Sequence, residues 1–321
     1  MVKETNFQNV ARYGRARKTV AHIVSSLMPT RRIRNRVRSM ILFGFFRSMG
    51  ELLNPGGGAL PHYFSIAAIV RDEGRYLQEW IEYHRMVGAE KFYIYDNQST
   101  DGTYEILKPY IDSGIVEYHY VVGDGIQNAV NLYAVQRAAS KTRWLAVIDL
   151  DEFIMPIRDG SVVDFLRQIN PRTAQVFIRW CLYGSSGHVT RPDGLVTQNY
   201  KYRKQDNSNE ANKIIVNPRM VVDCNSAHAF AVIGPSIDEA GHPVTPSPVI
   251  AGLTQNIIRI NHYRCKSWQD SQEKHAKGDV LYGRDYVRYT RADFDRFDTN
   301  DVIDHAMDKY APELGRRCRV K

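Results

Sequence analysis

The stretch W-L-A-V-I-D-L, residues 144–150, is an almost continuous apolar run that leads into a cluster of acids. A short run of this kind is typical of a central parallel strand that is buried on both faces. Asp149, Asp151 and Glu152 lie at its carboxyl end. In open α/β sheets, ligands bind outside the carboxyl ends of the strands. The stretch therefore predicts both a buried strand and a polar site directly after it.

The residues before this strand alternate between strand and helix patterns. In chain order, the predicted elements are strand 64–70, helix 73–87, strand 91–95, helix 100–113, strand 115–122 and helix 127–140. The first helix places Leu77, Trp80, Ile81 and His84 on one face, and Gly88 marks its end. This βαβαβαβ order predicts a doubly wound α/β sheet.

The pattern beyond Glu152 is less regular. We predict a helix at 161–169 with Ser161 as its N-cap, strands at 174–180, 213–222 and 253–260, and a helix at 267–277. The residues from 284 onward form a charged, partly helical tail. The smaller strands are expected to extend the first four into a mixed sheet.

The positive charge of the chain is concentrated at its start. The net charge is +8, but the first fifty residues carry eleven Lys or Arg residues and one acid, whereas the other 271 residues hold 32 bases and 34 acids. This distribution excludes a globally basic body of the kind that binds nucleic acid. We therefore divide the chain into a basic arm and Gly-rich linker (1–58), a catalytic domain (59–283) and the tail (284–321).

The basic arm has apolar residues at helical spacing on both sides of Pro29, which predicts two amphipathic helices. Such helices can lie on an anionic membrane, where each Lys or Arg contributes about 1 kcal/mol. The alternative is that the arm is partly disordered, or that its helices pack on the body or on a partner chain. No apolar run approaches membrane-spanning length, no signal peptide is evident, and the four cysteines are far apart. We expect a cytoplasmic protein, peripheral on the inner face of the membrane if the arm binds lipid.

Acidic residues follow three of the predicted parallel strands and should meet at one edge of the sheet. They are Asp72 and Glu73, then Asp96 to Asp101, then Asp149 to Glu152. Such clusters repel unless a cation neutralises them, and paired carboxylates suit Mg²⁺ or Mn²⁺. The alternative for 96–101 is a solvated turn that caps the next helix, and both roles are compatible. No Gly-rich phosphate loop is present, which disfavours a dinucleotide oxidoreductase or a P-loop kinase.

Six segments, in order, resemble the bacterial glycosyltransferase family 2-like proteins related to family 92 (the DUF23 galactosyltransferases). The segments are V-R-D-E-G-R-Y-L-Q-E-W-I-E-Y-H (70–84), Y-D-N-Q-S-T-D-G-T (95–103), W-L-A-V-I-D-L-D-E-F (144–153), W-C-L-Y-G-S-S-G-H (180–188), K-I-I-V-N-P (213–218), and I-N-H-Y-R-C-K-S-W (260–268) with E-K-H-A-K-G-D (273–279). The resemblance implies a Rossmann-like fold of the GT-A type. It also implies a UDP-sugar or similar donor, a Mn²⁺ or Mg²⁺ cofactor held by a D-x-D motif, and a glycan or glycolipid acceptor.

The resemblance also implies roles for individual residues. Metal ligands would be Asp149, Asp151 and His262. The nucleotide sugar would be bound by Asp72, Glu73, Asp96, Asn97, Asp101, Asp149 and Lys266. Glu152 would support the donor site as a catalytic residue, and Trp180, Gly184 and Ser185 would shape the acceptor site.

The resemblance implies inversion at the anomeric carbon, which requires a general base. Candidates on the acceptor side are Asp206, Glu210, Asp238 and Glu239, and we favour Asp238 because it precedes a Gly turn in the segment leading to His262. Two other functions stay open. One is a non-catalytic module that binds nucleotide sugars or glycans, and the other is a nucleotidyltransferase. The R-D-E-G-R segment at 71–75 matches the Gly-rich phosphate loop of nucleotidyltransferases only weakly.

Overall fold

The computed structural model describes residues 15–53, 59–224, 226–276 and 290–319. The helices are α1 (Arg15–Ser26), α2 (Arg31–Phe43), α3 (Phe45–Leu53), α4 (Gly74–Met86), α5 (Thr103–Asp112), α6 (Gln127–Ala138), α7 (Val162–Arg167), α8 (Val196–Asn199), α9 (Trp268–Ala276), α10 (Arg291–Phe297) and α11 (Ala311–Cys318). The strands are β1 (His62–Val70), β2 (Lys91–Asp96), β3 (Val116–Tyr120), β4 (Thr142–Val147), β5 (Glu152–Pro156), β6 (Gln175–Leu182), β7 (Tyr202–Arg203), β8 (Asn212–Val216), β9 (Val221–Cys224), β10 (Phe230–Val232), β11 (Ser236–Ile237), β12 (Ile258–His262) and β13 (Val302–Ile303).

The main sheet has a parallel half and a mixed half. Its strand order is β3-β2-β1-β4-β8-β6-β12-β5, and β11 pairs with β6. Strands β1 to β4 are parallel, β8 is antiparallel to both β4 and β6, and β12 is parallel to β6. The predicted doubly wound, mixed sheet is confirmed. Reversal of β8 matters for the site, because its first residues lie beside the carboxyl end of β4.

Helices cover both faces of this sheet. Side chains of α4, α5, α7 and α11 form one apolar layer, and α6 packs on the other face with the β9–β10 hairpin. Helix α4 also fixes the backbone of β5. The indole of Trp80 donates to the Glu152 carbonyl at 2.9 Å, and the Ile154 amide donates to the His84 ring at 3.2 Å. Burial lowers the pKa of His84 to about 3, so this ring stays neutral.

Two predicted strands differ from the observed ones because of local backbone geometry. The strand predicted at 213–222 is interrupted at Pro218, where a 3₁₀ turn separates β8 from β9. A proline cannot donate to a strand ladder, which explains the break. The strand predicted at 253–260 begins only at Ile258 and extends to His262. The helix at 161–169 is α7, and its Ser161 cap is confirmed.

The basic arm forms helices on both sides of Pro29, as predicted, and α2 packs on the β9–β10 hairpin. Asn35 donates to the Val232 carbonyl at 2.9 Å, and Arg38 forms an ion pair with Asp223 at 2.9 Å. The Gly-rich linker at 54–58 lies outside the described residues. Within the part that is described, the arm is therefore a docked layer of the body, as one of the two alternatives expected.

Part of the C-terminal tail wraps back over the body. Helix α11 packs on α4, where Arg317 contacts Glu82 at 3.2 Å. The predicted boundary at 283–284 and the end of the predicted helix at 267–277 fall in 277–289, outside the described residues. The four cysteines are free. Among the described helices, none is both long and apolar enough to span a bilayer.

Candidate active site

The carboxyl ends of β1 and β2 are joined through their acidic residues. Asp72 accepts from the Thr100 amide at 2.6 Å, and Asp101 accepts from the Gly74 amide at 2.8 Å. Asp72 adopts a left-handed backbone with φ 50°, which is uncommon for a residue other than glycine. The predicted nucleotide-binding residues Asp72 and Asp101 thus brace the two loops against each other.

Asp96 and Asn97 at the end of β2 are almost fully buried. Asp96 accepts from the Tyr118 hydroxyl at 2.7 Å, and the Asn97 amide donates to the Gly123 carbonyl at 3.1 Å. Among the described residues, the Asn97 side-chain oxygen has no hydrogen-bond partner. These contacts shape the far end of the site and leave one buried acceptor for a ligand donor group.

The three acids after β4 turn to different partners. Asp149 forms an ion pair with Lys213 at 2.7 Å, and its side chain is 41% exposed. Glu152 is fully buried, accepts from the Asp149 amide at 2.9 Å, and lies 3.4 Å from the Lys213 ammonium. Burial, offset in part by Lys213, raises the pKa of Glu152 to about 8. Lys213 therefore neutralises one half of the acidic cluster.

Asp151 faces the opposite way, toward α9 and the end of β12. Its carboxylate lies 2.6 Å from the Lys274 ammonium and 3.5 Å from the His262 ring nitrogen Nε2. Although burial opposes ionisation, Lys274 and His262 hold the pKa of Asp151 well below its usual value. Asp151 is consequently an anion at any physiological pH.

The predicted metal ligands are only partly brought together. Asp151 and His262 present an oxygen and a nitrogen to one point, which fits a divalent cation that keeps its other positions for water and phosphate. Asp149 is held apart from this pair by its bond to Lys213. Within the described residues, no group of three or more His, Cys, Asp or Glu side chains is arranged to hold a metal.

A cleft rich in charged groups opens beside Asp151. Its lining residues are Asp72, Glu73, Arg75, Tyr76, Arg191, Arg264, Cys265, Lys266, Asp270, Glu273 and Lys274. Asp270 organises the wall, because it accepts from Tyr76, Arg191 and Ser267. The cleft brings the predicted residues Asp72, Glu73 and Lys266 together from two separate parts of the chain.

Lys266 is the unusual member of this cleft. It is 4% exposed, yet its ammonium forms no hydrogen bond or ion pair within the described residues and lies 4.6 Å from the centre of the Tyr76 ring. Burial lowers its pKa. Its backbone is left-handed, with φ 49°. Strain of this kind costs about 1–3 kcal/mol and tends to occur at ligand sites.

The predicted acceptor residues separate into two groups. Trp180 lies at the site, with its ring 4.3 Å from that of His262. Gly184 and Ser185 instead hold the tail. Ser185 is buried and donates its hydroxyl to Asp298 at 2.8 Å, and a Cβ on Gly184 would collide with Asn300.

The favoured base, Asp238, lies apart from these residues. It accepts from the Ala240 and His242 amides in a tight turn. Its neighbour Glu239 binds the amide of Ile258, the first residue of β12, whereas His262 is the last. Four residues of strand span about 13 Å, which places Asp238 toward the opposite end of β12 from His262.

Two lysines to which the sequence analysis gave no role, Lys213 and Lys274, contact the acids after β4. A signal for Lys213 exists in the sequence, because it interrupts the apolar strand N-K-I-I-V at 212–216. A lysine in a fully buried strand needs a counter-charge. Lys274 lies in the E-K-H-A-K-G-D segment, but helical spacing alone does not indicate its partner.

Comparison with known sequences identifies relatives. Residues 61–297 match the model of glycosyltransferase family 92. A family 92 protein of Oryza sativa subsp. japonica is 26% identical over 231 residues, which cover 70% of this chain and 37% of the relative. One from Ricinus communis is 28% identical over 235 residues, covering 71% and 40%. The chain thus matches about two fifths of the length of these relatives.

Likeness to solved structures is weaker. The structure of S. aureus TarS 1–349 gives a TM-score of 0.36 at 11% identity, covering 81% of this chain and 75% of that one. Glucosyl-3-phosphoglycerate synthase from Mycobacterium tuberculosis, in complex with Mn²⁺, uridine diphosphate and glucosyl-3-phosphoglycerate, gives 0.25 at 15% identity, covering 37% and 44%. At these scores neither likeness bears on the ligands of this chain.

Proposed function

Because this chain belongs to glycosyltransferase family 92, we propose that it transfers a sugar, with inversion, from a nucleoside diphosphate donor to a hydroxyl of a glycan or glycolipid. Uridine diphosphate is the proposed carrier. The observation that supports this most directly is the buried Lys266, whose ammonium has no hydrogen-bond or ion-pair partner among the described residues, in a cleft beside Asp151.

A diphosphate in this cleft would supply the partner that the Lys266 ammonium lacks among the described residues. A buried ammonium is unfavourable unless an anion accompanies it. Lys266 would contact one phosphate. Lys274, whose side chain is 46% exposed, would contact the other phosphate and also retain its ion pair with Asp151. The paired residues Arg191 and Asp270 would hold the wall rigid and leave the binding to these lysines.

A divalent cation, Mn²⁺ or Mg²⁺, fits beside Asp151 and His262, with Asp149 as the proposed further ligand. Such an ion acts as a Lewis acid on the departing diphosphate. His262 would bind through Nε2, the nitrogen that faces Asp151. Its other ring nitrogen, Nδ1, is buried without a protein partner. A ligating histidine normally donates that hydrogen, so a water molecule is the expected acceptor.

The residues of the chain then have distinct tasks in the transfer. The bond between the anomeric carbon and the diphosphate oxygen breaks, and the oxygen takes the electron pair. Lys266 and Lys274 stabilise the negative charge that develops there. Glu152 and Lys213 keep the backbone after β4 in place, and Trp180 offers an aromatic wall for the acceptor sugar.

We expect a panel of nucleotide sugars with Mn²⁺ to identify a donor from which the full chain releases nucleoside diphosphate. Lys266→Met should lower kcat/KM for that donor about 10²- to 10³-fold, as loss of a positioned cation does at comparable sites. Lys309→Met is the matched control, because Lys309 lies in a 3₁₀ turn of the tail. Calorimetry should show weaker binding of uridine diphosphate to the Lys266 variant only.

Product analysis separates the alternatives. Release of pyrophosphate would identify a nucleotidyltransferase, and binding without any turnover across a broad acceptor panel would favour a glycan- or nucleotide-binding module. If Lys266→Met bound the nucleotide as tightly as the unaltered chain does, the assignment of this cleft to the diphosphate would be wrong.

The basic arm indicates where the protein binds its acceptor. Ile23 of helix α1 is 57% exposed, and Leu27, which directly follows the helix, is 77% exposed. The same helix carries the basic residues Arg17 and Lys18. We propose that this face binds an anionic membrane that carries the acceptor. Apolar contact and Lys/Arg attraction act together in such binding.

The double variant Ile23→Ser, Leu27→Ser should reduce partitioning of the full chain onto anionic vesicles at least about tenfold, since a buried apolar side chain contributes about 1.5–3 kcal/mol. Co-sedimentation with phosphatidylserine-containing and neutral vesicles measures this. Val249→Ser, at an exposed position of the body, serves as the control. Equal partitioning of the double variant and the control would exclude this face.

A further inference from the structure

A second histidine, His228, contacts Trp180, whose ring also lies beside the proposed metal ligand His262. The Trp180 ring is 5.1 Å from the His228 ring and 4.3 Å from the His262 ring. His228 belongs to the turn between β9 and β10 and is only partly buried. The ring therefore borders the space beside Trp180 in which an acceptor sugar would stack.

Asn212 fixes the orientation and the tautomer of this ring. The His228 Nδ1 atom lies 2.7 Å from the Asn212 carbonyl oxygen, and the Asn212 side chain donates to the His228 carbonyl at 3.0 Å. A carbonyl oxygen can only accept, so Nδ1 carries the hydrogen. In the neutral ring, Nε2 then has a free lone pair. No described residue hydrogen-bonds to Nε2.

The groups around His228 favour the neutral ring. Burial and the Lys213 ammonium lower the pKa of His228, and they outweigh the opposing effect of Asp149. Lys213 lies on β8, Asp149 follows β4, and His262 ends β12, so charged or titratable groups of three strands face this ring. A neutral imidazole with one tautomer and an accessible Nε2 is the arrangement of a general base.

We propose that His228 is the catalytic base that accepts the proton of the acceptor hydroxyl through Nε2. This inference rests on the proposed glycosyl transfer. As the acceptor oxygen forms its bond to the anomeric carbon, its proton moves to Nε2, while the bond from that carbon to the diphosphate breaks and the electron pair leaves with the diphosphate. His228 becomes an imidazolium and returns its proton to solvent.

The location favours His228 over Asp238. His228 contacts Trp180, the aromatic residue of the site, and the charges of Lys213 and Asp149 act on its pKa. Asp238 contacts the turn at its own end of β12. The apolar surface of Trp180 and the charged groups after β4 thus lie near one candidate base.

The decisive variant is His228→Asn, because the asparagine amide can replace Nδ1 as donor to the Asn212 carbonyl but offers no group at the position of Nε2. With the donor and acceptor found by the nucleotide-sugar panel, kcat for transfer should fall about 10²- to 10⁴-fold. Binding of uridine diphosphate by calorimetry should be unchanged. His242→Asn, at a histidine that is largely exposed, is the matched control and should transfer sugar as the unaltered chain does.

Three results would overturn the assignment. The first is a His228→Asn variant that retains the transfer rate, and the second is loss of transfer in Asp238→Asn alone. The third does not depend on turnover. In ¹⁵N spectra of the histidine-labelled full chain with uridine diphosphate at pH 7, we expect His228 to have an unprotonated Nε2, and a protonated Nε2 would exclude this base. If the unaltered chain transfers no sugar at all, the proposed function is wrong. The ¹⁵N spectra would still show whether the hydrogen bond to Asn212 fixes the tautomer of His228.

Discussion

Replacing Asp151 with asparagine is expected to lower donor turnover about 10²- to 10³-fold, which corresponds to the several kcal/mol that a charge-stabilising site contributes. Asp151 is 2% exposed and is the anion that Lys274 and His262 share. The amide keeps the shape of the side chain but removes its charge. Nucleoside diphosphate release from the preferred donor measures the loss, and Asp112→Asn on the surface of α5 is the control.

A second variant distinguishes a catalytic defect from a structural one. If Asp151→Asn harms the protein only by leaving Lys274 unpaired, then Asp151→Asn with Lys274→Met should bind Mn²⁺ as the unaltered chain does. If the carboxylate itself holds the cation, the double variant should bind Mn²⁺ as weakly as the single one. Turnover does not decide this, because Lys274 is also proposed to contact the diphosphate. Calorimetry with Mn²⁺ and uridine diphosphate gives a readout besides turnover, and we expect the cation to bind at least about tenfold more weakly to Asp151→Asn, as loss of a group supporting a metal site does. Turnover and cation binding at the level of the Asp112→Asn control would contradict this role.

The parallel half of the sheet was predictable because its strands carry their own signal. The run at 144–150 is apolar throughout, since β4 is covered by helices on both faces. From that strand, the rule that ligands bind at carboxyl ends led directly to Asp72, Asp96 and Asp151. The strand ends were correctly grouped because parallel strands bring their carboxyl ends to one edge, whatever the details of the loops.

The mixed half was less predictable because its contacts are long-range. Strand β8 returns antiparallel between β4 and β6, and this reversal, which no local pattern encodes, brings Lys213 to Asp149. The same limitation affected Asp238. Proximity in sequence to the His262 strand suggested proximity in space, but Asp238 joins that strand at its beginning.

Contacts that loops and the arm make with distant residues were also not predictable from local sequence patterns. The Gly-Ser turn at 184–187 has the composition of a ligand-binding loop, yet Ser185 binds Asp298 of the tail, more than a hundred residues away. For the arm, membrane contact and packing on the body were predicted as alternatives. Its two faces explain this, because α2 contacts the β9–β10 hairpin while α1 exposes apolar residues. An amphipathic pattern identifies an apolar face but not what covers it.

The second large effect is expected at Lys213. It is 1% exposed, and its ammonium lies between Asp149 and Glu152, at 2.7 and 3.4 Å. Removing one partner from a buried ion pair typically costs about 3–5 kcal/mol, because the other charge is left uncompensated. Lys213→Met should therefore lower the free energy of unfolding by up to that amount above pH 8, where Glu152 becomes ionised in the unaltered chain, as measured by denaturant titration. Lys108→Met, which removes an exposed i,i+4 pair with Asp112, should cost less than about 1 kcal/mol.

The dependence of this loss on pH follows from the raised pKa of Glu152. A carboxyl whose folded-state pKa is above its unfolded value stabilises the fold below the unfolded value, and this contribution is lost as the pH rises toward the folded value, here about 8. At pH 6 Glu152 is protonated in the unaltered chain, and also in the variant, where loss of Lys213 raises its pKa further, so the substitution costs least there. Above pH 8 the unaltered chain ionises Glu152 beside Lys213, whereas the variant cannot do so at the same cost. The deficit of Lys213→Met relative to the unaltered chain should then grow between pH 6 and pH 9.

A double variant identifies Glu152 as the source of this deficit. Glu152→Gln removes the buried charge, so Lys213→Met with Glu152→Gln should recover a large part of the lost free energy and should flatten its pH dependence, because replacing both partners of a buried pair is often close to neutral. The exposed Asp149 contributes less, since water solvates its charge when the lysine is absent. A deficit that is the same at pH 6 and pH 9, or one that the second substitution leaves unchanged, would mean that packing of the Lys213 side chain, and not its charge, stabilises the edge of the sheet on which the site is built.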